Sequence, residues 1–306
     1  MTPEQVEQLL ALSREAQLTG PDAPTWVERL GAQRDAIVEA IRFLVEHGRE
    51  DDATELAANT WRLWLITSDL ETGREALGAA LAAEAAPSRA RALVLYGDGS
   101  LAFRQGEQKA SLKRNEAALE VARAIGDREA ESLAFIGLSR VALRDGDYER
   151  VRALASKARE AARDLDPSAE ALPLHMLAAG TRLAGHLDEA ADLSEEGLEL
   201  YRRLGDRRMV GMELHNLGHL EVHRGNIDRA EQCFAEIAEY RDLDDPYEGA
   251  MADLNRAALA LGRGDLDDAR ELLSKTEAAL QAAAITLDPD DQFEVDWLRD
   301  QLSRGT

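Results

Sequence analysis

His215, His219 and His223 stand four residues apart in the stretch "LHNLGHLEVHRG" (214–225) and make up half of the chain's six histidines. On a helix such a row climbs one side, drifting about 40° per step. Side chains so placed could share a metal ion, change charge near neutral pH, or line a wall that attracts anions. The metal reading lacks a third ligand and a supporting shell, and neither H-E-x-x-H nor a paired C-x-x-C occurs. No metal or other cofactor is therefore expected. The single cysteine, Cys233, lies beside Phe234 and reads as a small buried hydrophobe, since no base is positioned to activate it. Carboxylate-rich stretches such as "SEEGLEL" and "DLDDPYEG" fit solvated helix faces and loops. A hydrolase or metalloenzyme is not the expectation.

What positions the histidines begins with composition. Apolar residues make up 45 % of the 306 positions and charged residues 31 %, as in a folded soluble protein. Strong helix formers dominate, only 8 prolines occur, and β-branched runs are absent. The net charge of -23 disfavours nucleic acid and anionic membranes as partners. One cysteine permits no internal disulfide. The start "MTPEQVEQLL" lacks the pattern of a secretory signal, and no run nears the ~20 apolar residues of a spanning helix. A cytoplasmic protein is the default.

The chain repeats. "RQGEQKAS", "RDGDYERV", "LAGHLDEA", "HRGNIDRA" and "GRGDLDDA" align on Gly106, Gly146, Gly185, Gly225 and Gly264, spaced 40, 39, 40 and 39 residues apart. A further copy, "ITSDLETG", has Ser68 at the glycine's place. In each copy a first helix (A) reaches a glycine suited to the left-handed conformation, and a polar residue such as Asp147, Asn226 or Asp265 is of the type that caps a second helix (B). "AIGDR" (124–128) and "RLGDR" (203–207) end one helix on glycine and offer Asp127 and Asp206 to cap the next. Small residues recur where the helices must approach: Gly99, Ser139, Ala178, Gly218 and Ala257 on helix A, and Ala190, Ala230 and Ala269 on helix B.

This pattern resembles the tetratricopeptide repeat, with a longer linker. With the glycine as position 15, units fall at 54–87, 92–125, 132–165, 171–204, 211–244 and 250–283. The match is looser in the first unit, with Trp61 at position 8, and in the second, at Ala110 and Ser111. In this register "YGDGS" (96–100) lies inside a helix and is no phosphate loop. The fold expected is all-α: a right-handed α-solenoid of six repeats, with about fifteen helices and no sheet. Two N-terminal helices (3–17 and 25–47) cap residues 1–50, repeats fill 51–284, and a last helix in 285–306 caps the sixth repeat through Phe293, Trp297 and Leu298. The chain reads as one continuous array.

"APTWVERLGAQRDAIVEAIRFLVEHG" (23–48), "LAANTWRLWLITSDLETGREALGAAL" (56–81) and "RARALVLYGDGSLAFRQG" (89–106) are similar to the effector region of large bacterial transcription regulators of the maltose-activator and antibiotic-regulator types. That resemblance implies an array that senses a ligand or partner. It does not extend to ATP hydrolysis or DNA binding, because no G-x-x-x-x-G-K-[ST] loop and no segment for a helix-turn-helix is present.

In tetratricopeptide arrays helix A lines a concave groove through positions 2, 5, 9, 12 and 13. The resemblance thus assigns His175, His215, His219 and His223 to the groove, with Arg62, Arg104, Arg140, Arg144 and Arg182 and the hydroxyls of Tyr96 and Ser100. Glu55 is the one acid at those positions. A wall with a single carboxylate among so many basic groups suits an anionic group; the alternative is that arginines ending helix A merely favour its dipole. The paired lysine and asparagine pattern of the chaperone-type carboxylate clamp is absent, Asn216 alone being insufficient. The function expected is non-enzymatic binding of a peptide or protein segment, an acidic one if the wall is used, in a regulatory or signalling role. The alternative is a sensor of a small anionic metabolite. Exposed imidazoles titrate near pH 6.5, so binding is expected to strengthen as pH falls.

Overall fold

The computed structural model describes residues 1–20, 22–82, 86–240 and 245–304, and among these it has sixteen α-helices and no strand. Three N-terminal helices, α1 (Pro3–Glu15), α2 (Ala23–Gly31) and α3 (Arg34–Glu46), precede six antiparallel pairs. The pairs are α4 (Glu50–Ile66) with α5 (Leu70–Ala82), α6 (Arg89–Arg104) with α7 (Gln108–Ile125), and α8 (Arg128–Arg144) with α9 (Tyr148–Ala162). Then come α10 (Pro167–Leu183) with α11 (Leu187–Leu204), α12 (Arg207–His223) with α13 (Ile227–Ile237), and α14 (Pro246–Arg263) with α15 (Leu266–Ala282). The chain closes with α16 (Pro289–Arg304). Each pair is one sequence repeat.

Punctuation follows backbone chemistry. Gly146, Gly185, Gly225 and Gly264 take φ of 72°, 87°, 78° and 85°, a region that L side chains enter only at a cost. Ser68, in the glycine's place, takes φ 55° nonetheless. Asp127 and Asp206 accept the Ala130 and Met209 N–H groups at 2.9 and 3.1 Å, capping α8 and α12 as expected. Asp147 accepts from the Arg150 N–H at 3.1 Å. Asn226 and Asp265, expected to cap their helices, make no side-chain cap bond. The Asn226 amide donates to Glu221 Oε2 at 2.6 Å instead, satisfying a buried carboxylate.

Residues 25–47 form two helices rather than one. The break follows Gly31, where the Gln33 N–H turns back to the Leu30 carbonyl at 2.9 Å. Glycine lowers the cost of leaving the helix there.

The helices pack into two compact units, one of Met1–Asp145 with Ala153–Pro173, the other of Gly146–Arg152 with residues 174–304. In unit 1, Leu56, Leu63, Trp64, Leu77 and Leu101 are wholly buried. In unit 2, Leu254, Ala257 and Ala269 form a core that Val295, Leu298 and Leu302 of α16 complete. Small residues sit where the sequence requires close approach: a Cβ on Gly218 of α12 would lie 2.2 Å from Phe234 Cε1 on α13. No helix among the described residues is long and apolar enough to cross a membrane.

Candidate functional site

In unit 2 the histidine row stands on α12 as the repeat register requires, with the His215 and His219 ring centroids 4.7 Å apart. The wall is not open. The α16 helix brings carboxylates onto it. Glu294 Oε1 accepts from Arg182 Nη1, while its Oε2 lies 2.9 Å from His223 Nε2 and 3.3 Å from His219 Nδ1. One residue turn earlier, Asp291 Oδ1 stands 3.3 Å from His215 Nε2, and its Oδ2 accepts the Tyr247 hydroxyl at 2.6 Å. Trp297 stacks on His223 with centroids 4.0 Å apart, and Phe293 meets Tyr148 edge-on at 6.3 Å. Thus the two aromatics expected to cover the sixth repeat also reach helices earlier in the chain. His175 Nδ1 lies 2.6 Å from Glu213 Oε1, and His219 Nε2 lies 3.0 Å from Asn255 Oδ1.

Burial sets the electrostatics of this cluster. His219 is fully buried, and desolvation, joined by the charges of His215, Arg182 and His223, drives its pKa well below the ordinary value. Burial and then Arg182 push His223 down to about 4. Glu294, already paired with Arg182, does not reverse this. The expectation of exposed imidazoles titrating near neutral pH therefore fails for His219 and His223, because α16 covers them. Burial also lowers the pKa of the Arg182 guanidinium, against the pull of Asp290, Asp291 and Glu213. For Asp291 burial acts upward, but His215, Tyr247 and Arg182 outweigh it and hold the carboxyl below its usual range. Asp290 is raised by burial and by that neighbouring carboxylate. Arg182 is 3 % exposed, and its Nε and Nη2 have no hydrogen-bond partner among the described residues.

Unit 1 is arranged differently. The Arg62 guanidinium lies 4.7 Å from the centroid of the Trp61 ring, whose neighbour Tyr96 meets it edge-on at 5.4 Å. Arg140 Nη1 donates to the Tyr96 hydroxyl at 3.4 Å. Neither Arg62 nor Arg140 has a carboxylate within 4 Å among the described residues. Burial lowers the Arg62 pKa and the Arg140 charge adds to that, against the pull of Tyr96 and Glu129. Arg144 packs over the Phe103 ring at 3.8 Å and donates to the Phe103 carbonyl at 2.6 Å, a structural contact between neighbouring repeats. Arg104 is exposed at the end of α6. The Ser100 hydroxyl is not offered to a partner: it is buried and donates to the Tyr96 carbonyl at 2.9 Å.

Sequence reasoning missed Glu213, Asp291, Glu294, Tyr247 and Asn255. A signal existed for two of them, since "DQFEVDW" places Asp291, Glu294 and Trp297 three residues apart along one helix side. Among the described residues no cluster suited to a metal ion is found.

No protein-family model and no curated protein sequence matches this chain. Solved structures do. A Rap protein complexed with competence and sporulation factor is 15 % identical, with a TM-score of 0.61 over 96 % of this chain and 80 % of that one. NprR in complex with its cognate peptide NprX is 16 % identical, with a TM-score of 0.59 over 89 % and 82 %. A signal-transduction ATPase with numerous domains and a tetratricopeptide repeat sensor, from Pyrococcus horikoshii, is 18 % identical, with a TM-score of 0.57 over 86 % of this chain and 45 % of that one. At these identities the likeness is one of fold: the chain is a tetratricopeptide-like helical solenoid.

Proposed function

We propose that this chain is a non-enzymatic, cytoplasmic binding module that takes an acidic peptide or protein segment on its helix-A faces. The observation that carries the reading is the Arg62–Arg140 pair beside Tyr96. Two guanidiniums with no carboxylate in ion-pair contact among the described residues keep a local cationic site in a protein of net charge -23. Guanidinium forks suit carboxylate or phosphate, and each charge-assisted bond is worth about 1.5–3 kcal/mol. The complexes of the similar Rap and NprR structures with a factor and a peptide support a peptide as the ligand class. The repeat sensor of the Pyrococcus ATPase supports a regulatory setting, of which the maltose-activator resemblance is the narrower form.

The same cluster is compact enough for a single anionic group, which is the reading of a metabolite sensor. An array of acidic, neutral and basic peptides, followed by calorimetry of the strongest binders, separates the two. Acidic peptides should bind with an affinity that falls with salt and falls at least tenfold in the Arg62→Gln/Arg140→Gln chain. Binding of inorganic phosphate or succinate in place of every peptide would favour the sensor. Peptide binding indifferent to both substitutions would remove the site.

A further inference from the structure

The seat of α16 carries more than a structural cap needs. A cap has to cover apolar surface, and Val295, Leu298 and Leu302 do so against α14 and α15. The other side of α16 is polar and matched to the wall residue by residue: Glu294 to Arg182, His219 and His223, Asp291 to His215 and Tyr247, and Trp297 to the ring of His223. We propose that this wall of unit 2 is a recognition surface for an acidic, aromatic helical segment of a partner protein, and that α16 is the occupant the chain itself supplies.

The occupant is exchangeable because the fit is incomplete. Two nitrogens of the buried Arg182 guanidinium find no acceptor among the described residues, so a ligand with one more carboxylate would satisfy what α16 leaves open. The recognised pattern follows from the seated helix: two carboxylates three residues apart, then an aromatic three residues further on. Charge complementarity names the partner's chemistry through Arg182, the buried cation beneath α16 that Glu294 meets, while His219 and His223 stay uncharged there and enter as polar and stacking partners.

The inference extends the proposed function to a second face and rests on reading helix-A faces as docking surfaces, but it has its own test. The probe is a labelled synthetic peptide of residues 287–304, titrated into the full chain and into the full chain bearing Phe293→Ala and Trp297→Ala. Those substitutions loosen α16 without stranding a charge. The peptide should bind the loosened chain at least tenfold more tightly than the unaltered one. A peptide with asparagine and glutamine at the positions of Asp291 and Glu294 should bind it at least tenfold more weakly. Equal binding in either comparison would overturn the proposal. So would a dimer formed by exchange of α16 between two copies, which assigns the face to a second copy. Hydrogen exchange on the unaltered chain needs no variant. Amides of 289–304 should open more readily than those of α12 and α14, and opening only with global unfolding would also overturn it. The Arg62→Gln/Arg140→Gln chain reads unit 1 alone, so failure of that site and failure of this one are distinct results.

Discussion

The guanidinium of Arg182 and the carboxylate of Glu294 pair across 112 residues of sequence, with side chains 3 % and 1 % exposed. Pairs this deeply buried are costly to break singly, because the remaining charge is stranded. Glu294→Gln should lower unfolding stability by about 3 kcal/mol, whereas Arg182→Met with Glu294→Leu should cost much less. Urea unfolding of both chains measures the contrast, and equal losses would show that the pair does not act as a unit.

Acid should weaken unit 2. An unfolded histidine binds its proton near pH 6.5, whereas folded His223 does so only at about 4. The unfolded state therefore gains protons first, and stability is lost as pH falls from about 6.5 toward 4, by at most about 3 kcal/mol from this residue. His219 and Asp291 act in the same direction, and Asp290, raised by burial, acts against them. Denaturation midpoints between about pH 7 and pH 5 should fall, and His223→Gln should flatten the slope. A midpoint that rises on acidification would refute the burial argument.

Gly218 and Ser68 predict opposite effects. Gly218→Ala sets a methyl 2.2 Å from the Phe234 ring and should destabilise by about 1–3 kcal/mol. Ser68→Gly relieves a left-handed serine and should stabilise by about 1 kcal/mol. Thermal melts of the two variants on either side of the parent would bear this out. A neutral Gly218→Ala would mean that α12 and α13 separate freely.

Cys233 should be inert in the folded chain. It is buried, and burial first raises its thiol to about 11, with Glu195 and Glu221 adding to that against Arg229. A thiol-specific dye at pH 8 should label it at the rate of unfolding. Rapid labelling of native protein would place the sulfur at the surface.

The repeat was legible because its turns demand left-handed backbone, which writes glycine into the sequence at a nearly fixed interval; Ser68 was placed by the copy "ITSDLETG" around it. The same register put His215, His219 and His223 on one side of α12 and brought Arg62 and Arg140 onto helix-A faces. What escaped it lies outside the period. No spacing rule connects Arg182 with Glu294, so neither the covering of the wall nor the consequent burial of His219 could be read from residue order. Ser100 misled for a different reason: its hydroxyl had a local carbonyl within reach, one turn back along its own helix.

The α16 seat has a kinetic consequence. A ligand for that face cannot dock at a rate set by its own concentration without limit, because each encounter succeeds only with a molecule whose last helix has already left. The observed association rate should climb with ligand and then level off at the departure rate of 289–304, while the apparent affinity is reduced by the fraction of molecules that are closed.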